Sequence, residues 1–481
     1  MNILTIDKSS FLKGQSTSKF IDDGGYSPTS NPLETTRRNG GGGFSLGLLF
    51  PKREYTAYNT NLADVVYASI ANPATSKIYS IGSGGRVYET ASVQTTPTHT
   101  VKATIGTVTF SDKSDIIVYE GKLLITSTTN IAMSDFSFSG GDPDNDWWTT
   151  VAGGSALDAS YLHKMFIFQG NLYITNGNKL ASWDGTTAKN DALTLPAGWI
   201  ITDAVIYNNQ ICLVAVWQAT GDYNALNKFF FWDGYTGGAS SVTWNREVDF
   251  YGKPILGLAV LRGAIYFYSA PYIYAFDGYN YIEKKEIALR GSTFKNFISA
   301  GGCLYFASSG PTLAELFSYN PIYNSINKLD NFALSYNPLV LVNFDEDHIM
   351  SFINDTDATL SKFFVWKSYH IAYDASFISN FYNFPSPINI RRIEILFEKA
   401  LKSGDAYEFA ICDEAEASLN TKSISFAIDG AITKKTYFLQ LNNLSAIQAR
   451  FKFKHNSGAT IPTGLRSIKI YYDGSERSTT K

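Results

Sequence analysis

One short pattern recurs along most of this chain: a turn residue, then a pair of apolar or aromatic residues that begins a strand. Seven pairs fit the pattern: Ile78-Tyr79, Leu123-Leu124, Leu172-Tyr173, Ile211-Cys212, Ile265-Tyr266, Leu304-Tyr305 and Ile349-Met350. They lie about 45 residues apart on average, and self-similarity at such an interval is the signature of a repeat architecture. We therefore expect seven repeated units.

A second pattern follows each pair, an alternating aromatic strand that often ends in Asp-Gly. It occupies residues 85–89, 130–135, 180–185, 229–234, 273–278, 316–320 and 363–367. Gly, Asn and Asp separate the two patterns as they do in β-hairpins. With flanking apolar stretches such as 203–207 and 257–261, each unit has about four strands, the content of a propeller blade. The sequence predicts an all-β fold with a seven-bladed β-propeller over residues 57–384.

Four consecutive aromatic residues, Phe229 to Trp232, stop abruptly at Asp233-Gly234. We interpret them as the third strand of a blade, because stacked blades bury both faces of each sheet and so allow an unbroken apolar run. Asp233-Gly234 is then the turn to the outer strand. The alternative is an exposed aromatic patch. Four other units have an aromatic residue at the position equivalent to Trp232, and this recurrence favours burial. These residues are Trp183, Phe276, Tyr319 and Trp366.

Residues 1–56 are predicted to form an extended Gly-rich arm. Four glycines follow Arg37 and Arg38, and the segment has too few periodic apolar residues to form a core. A disordered terminus is one alternative. Five large apolar residues, costly to leave in water, favour an arm that docks on a partner or on its own propeller: Phe44, Leu46, Leu48, Leu49 and Phe50. We expect residues 31–52 to insert into an adjacent subunit.

After Phe384-Pro385 the repeats stop and the strands alternate polar and apolar residues. Such alternation is typical of a two-layer β-sandwich. We predict a sandwich over residues 386–475 and a frayed tail over residues 476–481.

Composition and charge restrict the function. The chain has 40 basic and 43 acidic residues, net −3, so no overall field attracts nucleic acid or acidic lipid. The chain has three cysteines, Cys212, Cys303 and Cys412. Their odd number and wide spacing indicate neither disulfides nor a zinc site, so we interpret them as buried apolar residues. No secretory signal or membrane-spanning stretch is evident. We expect the protein to be made in a cytoplasm.

No catalytic or metal-binding pattern is complete. Asp142, Asp144 and Asp146 resemble the opening of a calcium loop, but Trp147 and Gly153 stand where such a loop needs Gly and Glu. The five histidines lack ligand spacing, and no nucleophile elbow, P-loop or repeated sialidase turn occurs. We expect no enzyme activity, no cofactor and no metal, although an enzyme with its site at the central channel remains a third hypothesis.

The order of arm, seven-unit propeller and sandwich opening "INIRRIEILFEKALKSGD" resembles propeller-bearing structural proteins of tailed-bacteriophage virions, especially tail nozzle and tail-tip proteins. This resemblance implies a subunit of a homo-oligomeric ring whose arm and loops bind other virion proteins. It also implies assembly in the host cytoplasm and a final location in the virion. It transfers no individual functional residue.

The alternative is a glycan-binding propeller that recognises a host or other surface. In such a protein, aromatic side chains in blade loops stack on sugar rings. Four tyrosines are candidates: Tyr235, Tyr251, Tyr279 and Tyr281. The same residues could instead close the edges of blades.

Overall fold

A computed structural model describes much of the chain. The described residues are 2–6, 33–38, 44–51, 55–62, 64–91, 97–105, 108–139, 142–218, 225–234, 244–287, 293–300, 302–309, 314–322, 324–332, 340–344, 349–354, 361–366, 375–378, 382–397, 406–412, 418–425, 436–455 and 465–474.

Seven antiparallel sheets follow one another along the chain, and we number them 1 to 7. Sheet 1 contains β5 (Val66–Asn72), β6 (Lys77–Gly82), β7 (Arg86–Ala91) and β8 (Thr98–Thr104). Sheet 2 contains β9 (Ile116–Tyr119), β10 (Lys122–Thr126) and β11 (Ile131–Ser134). Sheet 3 contains β12 (Met165–Phe168), β13 (Asn171–Asn176), β14 (Lys179–Trp183) and β15 (Ala188–Thr194). Sheet 4 contains β16 (Trp199–Tyr207), β17 (Gln210–Trp217), β18 (Ala225–Trp232) and β19 (Arg246–Gly252).

The last three sheets follow the same plan. Sheet 5 contains β20 (Leu256–Leu261), β21 (Ala264–Ser269), β22 (Tyr272–Phe276) and β23 (Tyr281–Glu286). Sheet 6 contains β24 (Thr293–Ala300), β25 (Cys303–Ser309), β26 (Ala314–Asn320) and β27 (Ser325–Phe332). Sheet 7 contains β28 (Val340–Asn343), β29 (Ile349–Asn354), β30 (Ser361–Trp366) and, as its fourth strand, β4 (Tyr55–Leu62) from the N-terminal side of the chain.

The first strands of the sheets form a closed ring. Each of β5, β9, β12, β16, β20, β24 and β28 contacts the first strand of the next sheet, and β28 contacts β5. This arrangement is a seven-bladed β-propeller, as predicted. The recurring apolar pairs lie in the second strands and the aromatic stretches in the third strands of the seven sheets, which confirms both repeats.

Strand β4 joins the ring's two ends. Leu62, at its last position, is buried and packs in one cluster with Val342 of sheet 7 and with Val66, Ile78 and Tyr88 of sheet 1. The predicted boundary of the arm is residue 56. The structure places β4 across it, because this strand completes sheet 7 by pairing with β30.

Sheet 2 has three strands among the described residues, one fewer than predicted. An isolated bridge between Met133 and Asp144 stands at the place of the fourth strand. Helix α1 (Trp147–Thr150) follows, with Trp147 and Trp148 buried. The Trp147 ring stands edge-on to Trp183 of sheet 3, with centroids 4.7 Å apart. Both tryptophans thus belong to the core between sheets 2 and 3.

The aromatic run in β18 is buried on both faces, as predicted, and the alternative of an exposed patch is wrong. All four side chains are fully buried. Phe230 and Trp232 pack with sheet 3, whereas Phe229 and Phe231 pack with sheet 5. The ring centroids of Trp232 and Tyr173 are 5.9 Å apart.

The Asp-Gly endings have a local cause. In the turn after β22, a carboxylate oxygen of Asp277 accepts hydrogen bonds from the backbone N–H groups of Tyr279 and Asn280, and these bonds lower the pKa of Asp277. Gly278 adopts a φ of +96°, which favours glycine. After β18 the connection is longer than the predicted tight turn, since β19 begins only at Arg246.

Strands from both ends of the chain form a separate nine-stranded assembly. It contains β1 (Asn2–Ile6), β2 (Leu33–Arg38), β3 (Phe44–Pro51), β31 (Ala375–Ile378), β32 (Tyr382–Phe397), β33 (Ala406–Cys412), β34 (Ser418–Ser425), β35 (Thr436–His455) and β36 (Leu465–Gly474). The main path runs β2-β3-β36-β32-β35-β33-β34, with β1 on β36 and β31 on β35.

Strand β35 changes partner along its length. Its first part, to Ala449, pairs with β32, and its last part, from Arg450, pairs with β33. Strands that pass from one sheet to another in this way build the corners of β-sandwiches. The predicted alternation is present in β32, where Ile393, Ile395 and Phe397 are fully buried.

The beginning of this sandwich differs from the prediction at residue 386. Strand β31 already pairs with β35, and so do Tyr382 and Asn383 of β32. All these residues lie upstream of Pro385. The predicted frayed tail, 476–481, lies outside the described residues.

Candidate functional site

Three charged side chains connect consecutive sheets near the starts of their first strands. Asp115 precedes β9 and accepts a hydrogen bond of 2.8 Å from the backbone N–H of Met165 in sheet 3. Lys164 precedes β12, and its Nζ lies 2.8 Å from a carboxylate oxygen of Asp203 in β16. Asp203 in turn accepts 2.8 Å from the backbone N–H of Leu258 in sheet 5. We call Asp115, Lys164 and Asp203 the inter-sheet clasp.

The charges of the clasp depend on one another. Burial would lower the pKa of Lys164, but the neighbouring Asp203 and Asp115 outweigh it and raise that pKa. Burial raises the pKa of Asp115, against the opposing effect of Lys164 and of two backbone hydrogen bonds. Backbone N–H groups bind both carboxylates, so this geometry holds consecutive sheets together.

The candidate glycan-stacking tyrosines lie on sheets 4 and 5. Tyr279, in the turn between β22 and β23, is 75% exposed. The guanidinium of Arg246 stands 4.4 Å from its ring centroid and 4.1 Å from that of Phe231, and it also donates to the carbonyl oxygen of Gly278. Arg246 thus fixes the position of an exposed ring.

Tyr281 and Tyr251 have different surroundings. The Tyr281 ring packs edge-on against Phe250, with centroids 4.9 Å apart, so it helps to cover the joint between sheets 4 and 5. Tyr251 points to the other face of β19 and is 73% exposed. Tyr235 lies outside the described residues. The structure therefore brings Tyr279 and Tyr281 to one joint between sheets and separates Tyr251 from them.

Sequence reasoning missed an aromatic residue close to Tyr251. Trp217, the last residue of β17, is 40% exposed and packs edge-on against Trp199, with centroids 5.4 Å apart. Its other support is Gly198, where an added Cβ would approach the indole ring to 2.7 Å. The available signal was a tryptophan at the end of a predominantly apolar stretch, QICLVAVW, followed in the sequence by Gln218 and by Gly221-Asp222.

A charged group stands beside these rings. Lys228 Nζ lies 2.7 Å from Glu247 and 3.3 Å from Asp249, and 5.3 Å from the centroid of Trp199. Burial would lower the pKa of Lys228, but the two carboxylates raise it overall.

The predicted assembly residues lie in two neighbouring strands. Arg37 and Arg38 are in β2, and the apolar residues Phe44, Leu46, Leu48, Leu49 and Phe50 are in β3. Strand β3 pairs with β2 and, at Leu49 opposite Leu465, with β36 of the same chain. The arm thus contributes strands to the C-terminal assembly. The expectation that residues 31–52 reach an adjacent subunit stays a prediction.

The acidic stretch after sheet 2 has a structural use. The Asp142 carboxylate accepts hydrogen bonds from the Ser134 hydroxyl at 2.7 Å and from the backbone N–H groups of Asp135 and Phe138. Within the described residues, no group of three or more metal-binding side chains occurs. The hydrogen bonds to its carboxylate show that Asp142 organises the loop that follows β11.

The remaining polar features belong to the framework. His163 is buried between the carbonyl oxygens of Thr175 and Thr128. A polar cleft of about 470 Å³ lies beside sheet 2, lined by Val108, Thr109, Ser127, Thr128, Thr129, Asn130, Asn145 and Asp146. Cys212 and Cys303 are buried, as predicted, and burial raises the pKa of Cys212. Among the described helices, none is long and apolar enough to cross a membrane.

Comparison with known proteins identifies no family. No family model matches this sequence, and no curated protein matches it. Solved structures similar to this chain include a computationally designed protein, Ika8, at 9% identity, and the WD40 repeats of RRP9 and the protein U3-55K, each at 10% identity. Each covers 65% of this chain, with 99%, 97% and 98% of its own length respectively, at a TM-score of 0.40.

The class of this protein follows from its own sheets. The chain is an all-β protein built on a seven-bladed β-propeller.

Proposed function

We propose that this protein is a structural subunit of a tailed-bacteriophage virion, a tail nozzle or tail-tip component that acts by assembly and not by catalysis. It forms a homo-oligomeric ring, binds other virion proteins and is assembled in the host cytoplasm. The observation that carries the proposal is the sheet shared by both ends of the chain. Strand β1 pairs with β36 over five positions, from Asn2 opposite Tyr472 to Ile6 opposite Ile468.

This sheet offers a means of assembly. Among the described strands, β2 and β34 are the two ends of the main path. An edge strand presents backbone N–H and C=O groups to which another chain can pair. Pairing of β2 of one subunit with β34 of the next would be a head-to-tail contact, and such contacts close into rings when the rotation allows. Arg37 and Arg38 lie on that edge.

The test compares two proline variants in β2 by native mass measurement. Thr36 and Arg37 are adjacent in the strand, and adjacent residues point their N–H groups to opposite sides of an antiparallel strand. One of Thr36→Pro and Arg37→Pro therefore breaks the pairing with β3, and the other blocks only the outer edge. We expect the variant that keeps wild-type thermal stability to lose the oligomer. A ring that persists in both variants, and after deletion of residues 31–52, would contradict this mode of assembly.

A second candidate function is glycan recognition, because two of the predicted tyrosines are largely exposed. Tyr251 and Tyr279 are 73% and 75% exposed, and Arg246 holds Tyr279 in place. A fixed aromatic ring loses little conformational freedom on binding a ligand. Binding to a glycan array that disappears with Tyr279→Ala and Tyr281→Ala would support stacking at the joint of sheets 4 and 5. Unchanged binding in both variants would exclude that joint.

A further inference from the structure

We infer that one end of sheet 4 binds a neutral or amino-bearing oligosaccharide, with Trp217 and Tyr251 as stacking platforms. The inference rests on the second candidate function, glycan recognition, and does not depend on assembly into a virion. It concerns a different face from the joint that holds Tyr279 and Tyr281.

The strand register places the two platforms on one face. Leu226 of β18 is opposite Tyr251 of β19, and Val216 of β17 is opposite Asn227. Continuing that register by one residue places Trp217 opposite Leu226. Directly paired residues share a face of the sheet, so Trp217, Leu226 and Tyr251 form a row across three strands. The outer two lie about 10 Å apart, two strand spacings, which suits a short chain of sugars.

Trp217 is held as a fixed plate. Its ring lies against Gly198 so closely that a Cβ at that position would clash at 2.7 Å, and Trp199 supports its edge. The backbone N–H of Gln218 donates to the carbonyl oxygen of Gly198 at 2.8 Å, which fixes the end of β17 beside that glycine. The indole ring is supported by backbone and is still 40% exposed. It can therefore bind a ligand with little loss of side-chain conformational entropy.

The next row of the same face supplies polar groups. Lys228 is opposite Ala215 and Asp249, and Glu247 lies two residues before Asp249 on β19. The side chains of Glu247 and Asp249 are 41% and 44% exposed although both bind Lys228. A carboxylate has more acceptor sites than one ammonium occupies, so both can accept from additional donors.

The combination selects the class of ligand. Aromatic plates suit the apolar C–H faces of sugar rings, and exposed carboxylates suit their hydroxyl groups. Two carboxylates against one ammonium leave a negative balance of one at this site, which attracts amino groups and repels carboxylates and phosphates. Neutral and amino sugars therefore fit better than sialylated or phosphorylated ones.

The experiment is a glycan array with the purified full chain, followed by titration of the strongest neutral or amino-bearing ligand. We expect Trp217→Ala and Tyr251→Ala each to weaken affinity about tenfold, equal to ~1.4 kcal/mol. Trp217→Phe, which keeps an aromatic plate, should retain most of the affinity, and this separates stacking from a loss of folding. Val101→Ala serves as the control, since this exposed apolar side chain lies in β8 of sheet 1, outside the row, and it should bind as the wild type does.

The possible results distinguish a wrong binding site from a wrong function. Full affinity in either Trp217→Ala or Tyr251→Ala, while Tyr279→Ala loses binding, would overturn this site and leave glycan recognition standing. A wild-type chain that binds no glycan would overturn both. Preferential binding of sialylated or phosphorylated glycans would overturn the assigned ligand class.

Discussion

The Nζ of Lys164, just before β12 of sheet 3, lies 2.8 Å from a carboxylate oxygen of Asp203, within β16 of sheet 4. The Asp203 side chain is only 5% exposed, and that of Lys164 is 24% exposed. Through Asp203 the pair also reaches the backbone of Leu258 in sheet 5. Through these two contacts, Asp203 links three consecutive blades.

Removal of the lysine charge should destabilise the propeller. Lys164→Met leaves a buried carboxylate without its ionic partner, a change that typically costs about 3–5 kcal/mol. We expect a correspondingly lower urea midpoint by tryptophan fluorescence. Lys228→Met is the control. The Lys228 side chain is 15% exposed, but its partners Glu247 and Asp249 are over 40% exposed and stay hydrated without it, so this change should cost only about 0–1 kcal/mol. Equal midpoints for the two variants would mean that the clasp contributes no more than a surface pair.

Trp232→Ala should be among the most destabilising single changes in sheet 4. The ring is fully buried and meets Tyr173 of sheet 3 edge-on, so its removal empties a core site at a cost of ~3–5 kcal/mol. Urea unfolding measures the loss. Tyr251→Ala, at a largely exposed ring in the same sheet, is the matched control and should change the midpoint little. An unmoved midpoint in Trp232→Ala would count against the packing of sheets 3 and 4.

Leu62→Ala should loosen the closure of the ring. Leu62 is 1% exposed and packs with residues of sheets 1 and 7, and an emptied leucine site costs about 2–5 kcal/mol. Hydrogen exchange followed by mass spectrometry should show faster exchange in residues 66–82 and 340–343, with sheets 3 and 4 unchanged. Equal acceleration in all sheets would indicate global unfolding, and no acceleration would show that β4 does not close the ring.

His99 should make the protein sensitive to acid. Burial lowers the pKa of His99 to about 4, and its Nδ1 lies 2.8 Å from the Thr90 hydroxyl. A lowered pKa means that the neutral form stabilises the fold. This stabilisation is complete above a pH of about 6.5, the pKa of a histidine in the unfolded chain. It is lost as the pH falls towards 4, where the free energy of unfolding has decreased by roughly 3 kcal/mol.

The measurement is the urea midpoint of wild type and His99→Gln from pH 7 to pH 4. His163 is present in both proteins, so its own titration cancels in the comparison. We expect the wild type to lose more stability than the variant over this range. Parallel curves would show that protonation of His99 does not affect folding.

Local features of the sequence were enough to predict the blades. Each pair such as Leu172-Tyr173 follows a turn and begins a buried second strand, and each aromatic stretch such as Phe229 to Trp232 forms a third strand. Both signals arise within a few residues, from turn chemistry and from burial on two faces. They are therefore visible in a single sequence.

Long-range pairing was not predictable in the same way. The closing strand, Tyr55–Leu62, is largely polar, and its partner Ser361–Trp366 lies about three hundred residues later in the chain. The clasp was missed because nothing in the sequence relates Lys164 to Asp203. Trp217 was missed because its ring packs against Gly198, which lies between β15 and β16. Nothing in the sequence relates these two residues.

The most direct test of the proposed function is the native mass of the purified full chain, alone and with candidate neighbouring virion proteins. One chain has a mass of 53.1 kDa. We expect a closed oligomer at an integer multiple of that mass, or a stoichiometric complex with a neighbouring virion protein. A protein that stays at 53.1 kDa under all these conditions would contradict it.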